Sequence, residues 1–373
     1  MTRPRILHVY KDYWPPVLGG IETTINLMAR GTRDEFDPRV LVCAGASQPG
    51  LALIDGIPVR RVPEMGRFAS APFSPAFVTA LRREAREADI IHLHHPNPTG
   101  DLALLLSASR KPAVMTYHSD IVRQRFGRLL FGPVQEITMR RCRVIMPTSP
   151  NYVESSWWLA RHKARCRVVP LGISLDRFAP TPEVDDAVAA LRRTHRGFLI
   201  GFVGRLRYYK GLEFLVRAMR DLDATLLIGG TGPDGDRLRG LAAGMRNVVF
   251  LGDLDEAQLV ALLHAADVFC MPSHLRSEAF GLSMVEAMAC GTPVISTRIP
   301  TGVPFVNRDG ESGLTVEPAS APALHKALER LMHDRQLRAR LGQGALARAQ
   351  ARFSAEEMCR GVKEVYRSVL GTT

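Results

Sequence analysis

The sequence predicts an α/β protein of two domains, each built on a parallel sheet, and three observations carry that prediction. Short apolar runs alternate with stretches of helical periodicity from end to end, the pattern of βα units. With 373 residues the chain can bury two separate cores. A polar stretch from Asp176 to Arg196, holding Pro180, Pro182 and an acidic cluster, parts two series of such units and reads as a linker. Hydrophobic content of 46% and charged content of 23% are those of an ordinary globular protein. No apolar run approaches the roughly 20 residues of a membrane span.

In the first half, strands are expected at Ile6–Tyr10, Arg39–Cys43, Val59–Val62, Ile90–His94, Ala113–Tyr117, Val144–Pro147 and Arg167–Val169. The loop after the first strand ends in Gly19-Gly20 and opens a helix over Ile21–Ala29. Two glycines at a helix mouth either form a bare turn or let backbone approach a phosphate, which the helix dipole favours. His92, His94 and His95 close another strand at its carboxyl edge, where α/β proteins keep their ligands. His92 and His94 share a face and His95 opposes them. Acceptor lining, structural capping and a metal are the three readings. No carboxylate or cysteine stands beside them to complete a metal site, so no metal is expected. His118 ends the next strand, able to donate a hydrogen bond, with Ser119 placed to cap the segment after it. A helix is expected from Ser149 onward, with Trp157 and Trp158 inside it beside Arg161, His162 and Lys163. That grouping suits a membrane interface and a packed core equally.

In the second half, strands are expected at Leu199–Val203, Ala224–Ile228, Val248–Leu251, Val268–Met271, Val294–Ser296 and Leu314–Val316. The first delivers Gly204 and Arg205, and Lys210 then stands at the start of a helix over Leu212–Met219. Two cations and a helix N-terminus make a diphosphate clamp, which steadies a leaving diphosphate without a metal. Gly230 and Leu254 follow the next two strands. Between Ser277 and Thr297 two carboxylates, Glu278 and Glu286, are separated by seven residues, with Phe280-Gly281-Leu282 after the first. Leu282, Val285, Met288 and Ala289 recur at helical spacing, so a helix starts near Gly281 and stops at Cys290-Gly291 before Pro293. Glu278 then lies ahead of the helix and Glu286 within it, with free N–H groups between them where a phosphate is held.

The net charge of +12 is uneven, with twelve Lys or Arg against three acids from Arg110 to Arg167. No recognition-helix or aromatic-stripe motif accompanies it, so nucleic acid is not expected. Arg123, Arg125, Arg128, Arg140 and Arg141 surround Phe126, Leu129, Leu130 and Phe131, which points to an anionic membrane surface. A solvated basic face is the alternative. The six cysteines are scattered without a Cys-x-x-Cys pair, as buried thiols in a reducing compartment are. Arg5–Tyr10 reads at once as a strand, with no apolar signal region before it. The expected location is cytoplasmic, peripheral at the inner face of the cell membrane.

The Glu278/Glu286 spacing with Phe280-Gly281-Leu282 and Ala287-Met288-Ala289-Cys290-Gly291-Thr292-Pro293 resembles the signature of retaining glycosyltransferases of the glycogen synthase and bacterial mannosyltransferase group, family 4-like. The Gly204-Arg205 to Lys210-Gly211 pattern is similar to that group's pyrophosphate site. The resemblance implies two Rossmann-like domains facing a central cleft (GT-B). It assigns 1–178 to the acceptor side, 196–352 to the nucleotide-sugar, and 353–373 to a helix crossing back to the first domain. It implies catalytic roles for His118, Arg205, Lys210 and Glu278. Nucleotide-sugar binding falls to Gly19, Gly20, Gly204, Gly230, Leu254, Phe280, Gly281, Leu282 and Glu286. The implied donor is a GDP-sugar, with UDP-sugars open, and the implied acceptor is a glycan or lipid-linked sugar. No cofactor or metal is implied. A nucleotide-sugar epimerase and a non-catalytic nucleotide-sugar-binding protein are the other classes of this architecture.

Overall fold

Parallel pairing governs both halves of the chain. The computed structural model describes residues 3–15, 17, 19–45, 47–68, 71–120 and 125–372, with the backbone alone for 125–130. They form two units, one of 1–172 with 355–373 and one of 173–354.

The first unit holds β1 (Arg5–Val9), β2 (Asp37–Cys43), β3 (Gly50–Ile54), β4 (Ile57–Val62), β5 (Gly66–Phe68), β6 (Ala71–Phe73), β7 (Ile90–His95), β8 (Ala113–Tyr117) and β9 (Cys142–Pro147). Its helices are α1 (Gly20–Gly31), α2 (Pro75–Glu87), α3 (Pro98–Leu106), α4 (Arg125–Arg141), α5 (Pro150–Ser155) and α6 (Trp157–Arg161). Seven strands make one sheet in the order β3-β4-β2-β1-β7-β8-β9, parallel except where β3 pairs antiparallel with β4. Strand order reverses between β1 and β7, and such a switch point opens a crevice at the carboxyl ends of its strands. β7 is buried at all six positions, as a central strand covered on both faces must be.

The second unit runs α7 (Pro182–Thr194), β10 (Phe198–Val203), α8 (Leu212–Ala218), β11 (Ala224–Gly229), α9 (Gly235–Leu241), β12 (Val248–Gly252), α10 (Glu256–Ala265) and β13 (Val268–Met271). It continues with α11 (Leu282–Ala289), β14 (Val294–Thr297), α12 (Val303–Val306), β15 (Gly313–Val316), α13 (Ala321–His333) and α14 (Arg335–Arg352). The six-stranded sheet, β12-β11-β10-β13-β14-β15, is parallel throughout and reverses between β10 and β13. Ile200, Phe202, Leu226 and Ile228 pack with Leu215, Leu328 and Leu331 to form its main core. α15 (Ala355–Leu370) then belongs to the first unit. It buries Met358, Cys359, Val362, Val365, Tyr366 and Val369, a stripe at three- and four-residue spacing. The Cys359 thiol donates to the Leu27 carbonyl of α1 at 3.6 Å.

Three expectations need correction, and two features went unforeseen. The stretch Asp176–Arg196 is no linker, because α7 fills most of it, started by Thr181, whose Oγ1 accepts from Val184 N, and by Pro182 in its first turn. Arg167–Val169 is not a strand; beside it lies only an isolated bridge between Ile145 and Cys166. The helix expected through Trp157 and Trp158 is two helices, broken at the extended Ser156, whose Oγ donates to Asp120 Oδ1 at 2.7 Å. β3 and the β5–β6 hairpin were not anticipated. β3 turns into β4 through Asp55-Gly56, both at positive φ, the two-residue hairpin that Asp-Gly favours.

Candidate active site

The C-terminal edge of the second sheet gathers most of the expected residues. Lys210 ends a short turn, Tyr208–Lys210, after β10. Gly211 follows at φ +70, where an added Cβ would collide with the Pro272 carbonyl oxygen, so glycine alone lets this turn lie against the exit of β13. The His274 N–H donates to the Tyr209 carbonyl at 3.0 Å and fixes the same contact. Glu278 comes from the loop after β13. Its carboxylate meets Lys210 Nζ at 2.6 Å, with the two side chains only 10% and 12% exposed. The Ser273 hydroxyl donates to the same carboxylate at 3.3 Å. Burial works against the Lys210 ammonium, but Glu278, Tyr209 and Glu286 outweigh it and hold its pKa above the ordinary value. Burial pushes the Glu286 carboxyl up, partly offset by Arg177 and Lys210.

Gly281 stands before α11 at φ +88, with Leu282 the first helical residue. The Phe280 ring is buried edge-on against Phe353 at 5.8 Å, so it anchors the loop in the core. Gly204 and Gly230 bring two strand exits together: the Gly204 N–H donates to Gly229 O, and a Cβ on Gly230 would strike Gly204 O. Leu254 packs over Gly229 and lines a cavity of about 440 Å³ with Leu251, Gln258 and the α7 residues Ala187 and Leu191. That cavity went unforeseen because its wall is the helix taken for a linker. Arg205 is exposed and has no ion-pair partner among the described residues.

In the first unit Gly19 caps α1 and Gly20 begins it. Glu22, buried in the first turn, folds back toward Gly19. Burial first, and then Asp12, push its carboxyl up. His118 lies just past β8, held by its N–H to the His95 carbonyl at 3.0 Å. Its Nε2 lies 3.2 Å from His94 Nδ1, and His94 Nε2 lies 3.0 Å from His8 Nδ1. His92 is engaged at both nitrogens, by Tyr366 Oη at 2.6 Å and Thr116 Oγ1 at 2.7 Å. Burial lowers all four rings, His8 and His118 to about 3 and His92 and His94 well below the ordinary value, so they are neutral imidazoles.

These contacts bear on the readings of the histidines. His8, His92 and His94 have ring nitrogens within 4.8 Å of one another. But both nitrogens of His92 and His94 are spent on hydrogen bonds and the two rings stack at 4.3 Å, which does not fit lone pairs converging on an ion. His92 is fully buried. The sequence reading missed His8.

Of the basic cluster, Arg123 lies outside the described residues, as do the side chains of Arg125, Phe126, Arg128, Leu129 and Leu130 and the residues 121–124 that Ser119 was expected to cap. Arg141 donates to the Ser109 and Lys111 carbonyls, and Arg143 to Val369 O, so these two brace the fold. Trp157 is exposed with Arg161 over its ring at 4.7 Å. No described helix is long and apolar enough to cross a membrane.

Two doubly wound sheets, the second with a cation–carboxylate pair at a strand exit, define an α/β ligand-binding protein of the two-Rossmann class. Residues 18–177 match Glycosyltransferase Family 4, and residues 184–348 match Glycosyl transferases group 1. The chain is 37% identical over 354 residues to the D-rhamnosyltransferase WbpZ of Pseudomonas aeruginosa, covering 94% of this chain and 92% of that one. It is 32% identical over 369 residues to the O-antigen chain mannosyltransferase C of Escherichia coli, covering 98% and 99%. The sucrose-phosphate synthase structure from Thermosynechococcus elongatus superposes with a TM-score of 0.80 over 100% of both chains at 24% identity, a likeness of fold. The chain therefore belongs to the group 1, family 4 glycosyltransferases, and its two units are Rossmann-like domains of the GT-B fold.

Proposed function

We propose that the protein is a retaining glycosyltransferase that moves a mannose-type hexose from a GDP-sugar to a glycan or lipid-linked acceptor of a cell-surface polysaccharide. The observation that carries this is the Lys210–Glu278 pair at the exit of β13, ahead of α11. In the free protein each holds the other in place. When a donor enters, its diphosphate takes over the ammonium and its sugar hydroxyls donate to the freed carboxylate, so neither buried charge is left alone. Arg205 and the N–H groups at the start of α11 share the phosphate charge, and Glu286 accepts from the ribose diol. The departing phosphate oxygen takes the acceptor's proton as the new glycosidic bond forms on the same face, which keeps the anomeric configuration. Lys210 and Arg205 give this reading its charge neutralisation without a metal. Gly19 and Gly20 offer backbone to a phosphate once the Glu22 carboxyl beside Gly19 turns away or takes a proton. The relatives' sugars support the donor class, since D-rhamnose is 6-deoxy-D-mannose.

Thermal stabilisation by GDP, UDP and ADP, with Glu286→Ala beside the natural chain, tests this reading. A ligand at 100 times its Kd adds about 2.7 kcal/mol to the folded state. The expected result is a rise with GDP that the variant lacks. A rise with UDP alone moves the donor to UDP-sugars, and no rise with any of them removes the reading. The exposed Trp157 beside Arg161 supports peripheral contact with anionic lipid. Sedimentation with anionic vesicles at low salt is expected, and a protein that stays in the supernatant has no such contact.

A further inference from the structure

Three imidazoles form a wire that ends at His118, the residue read as a donor to the sugar. Register places it there: β1 pairs with β7 so that His8 opposes His92, and β7 pairs with β8 so that His94 opposes Thr116, two residues before His118. The wire runs His8 Nδ1 to His94 Nε2 at 3.0 Å and His94 Nδ1 to His118 Nε2 at 3.2 Å. Its two ends, His8 Nε2 and His118 Nδ1, are buried without a protein partner.

A neutral imidazole carries one N–H and one lone pair. Each link of the wire therefore takes one proton, and all three rings must point the same way. Wired inward, His118 donates to His94, His94 to His8, and a bare N–H is stranded at His8 Nε2 in the core. Wired outward, His8 donates to His94, His94 to His118, and the spare N–H lies at His118 Nδ1, which is buried as well. Either wiring leaves one buried N–H without a protein partner, a rare fault in folded proteins, and on the reading of His118 as a donor-facing residue only the outward N–H meets a phosphate or sugar oxygen. His92 imposes no choice, because the hydroxyls of Thr116 and Tyr366 can each donate or accept. It stacks on His94 with the planes 28° apart and fixes the ring's tilt.

We propose that His8 and His94 are positioning residues that hold His118 as its Nδ1–H tautomer, so that the ring offers the donor sugar or its phosphate an N–H and not a lone pair. The proposal rests on the reading of His118 as a residue that faces the donor. In the full chain labelled with 15N-histidine, long-range 1H–15N correlations distinguish the two tautomers of each ring. The expected spectrum shows His8, His94 and His118 all protonated at Nδ1, with and without GDP. A His118 protonated at Nε2, or at both nitrogens, overturns the proposal.

Kinetics give the second arm. In His94→Asn the amide nitrogen stands where Nδ1 stood and still donates to His118. In His94→Gln the amide reaches the Nε2 position instead, and His94→Leu donates nothing. With GDP-mannose turnover as the readout, kcat is expected to fall about tenfold in the Leu and Gln variants, the rate equivalent of one hydrogen bond, with KM little changed. The Asn variant is expected to recover most of it. Equal rates in the Asn and Gln variants overturn the proposal, and that pair decides if the Leu variant does not fold. If the natural chain turns over no GDP-sugar, the functional reading fails, while the tautomer spectrum still judges the wire.

Discussion

Lys210 and Glu278 form a buried ion pair whose loss bears on stability and, on the proposed function, on transfer. With both side chains largely buried, removing one partner leaves the other charge unpaired, and for buried pairs that costs about 3–5 kcal/mol. Lys210→Met is therefore expected to lower the melting temperature sharply. Lys210→Met with Glu278→Leu restores apolar packing and should recover most of it. Neither variant keeps the Lys210 ammonium, which leaves Arg205 as the one cation of the proposed clamp, so both are expected to lose most of their transfer activity. Denaturant unfolding of the two variants, read beside donor turnover, checks this. A double variant no more stable than the single would mean that the pair is solvated and that its geometry does not pre-organise the site. Glu286 carries the opposite sign. A carboxyl whose pKa burial has raised is destabilising when ionised at neutral pH. The fold accepts that cost at a residue read as a ribose ligand.

At the level of elements, the strands were readable because parallel strands buried on both faces leave short apolar runs. Twelve of the thirteen expected strands stand within a few residues of where periodicity put them. Failures came where one physical signal masked another. The prolines and acids of 180–186 read as linker composition, yet Thr181-Pro182 with Glu183 and Asp185 is the chemistry of a helix start. β3 exposes Leu51 and Leu53 and lacks the pattern of a half-buried strand, although Asp55-Gly56 announced its hairpin. In the candidate site, Lys210, Glu278 and Glu286 were legible as candidates because they sit in local motifs that follow strands. His8 could not be found that way. It meets His94 only through pairing of β1 with β7, more than eighty residues apart, and no local pattern records that. Phe280, Gly204 and Gly230 were expected to touch ligand; their visible work is to hold strand exits and a loop together.

For the whole molecule, the wire that orients His118 also sets a limit on acid stability, and it does so in one unit alone. The four neutral rings His8, His92, His94 and His118 all belong to the first unit. Each has a folded pKa below its unfolded value of 6.5. Below pH 6.5 the unfolded chain takes up protons that the folded one refuses, so stability falls as pH falls, and it continues to fall until the folded pKa is reached. Each ring then costs about 1.4 kcal/mol at pH 5.5, or about 6 kcal/mol over the four. That rivals the 5–15 kcal/mol that typically holds a domain together. In the second unit, the histidine His274 alone has a lowered pKa, and Glu213 and a backbone hydrogen bond partly counter its burial. Calorimetry is therefore expected to show one transition splitting into two between pH 7.5 and 5.5, with the lower one moving steeply. His8→Asn, which keeps an N–H beside His94 and cannot titrate, should flatten that movement by one ring's share. A lower transition indifferent to pH would mean that the four rings take up protons as readily in the folded state as in the unfolded one, so that burial does not keep the wire neutral in acid.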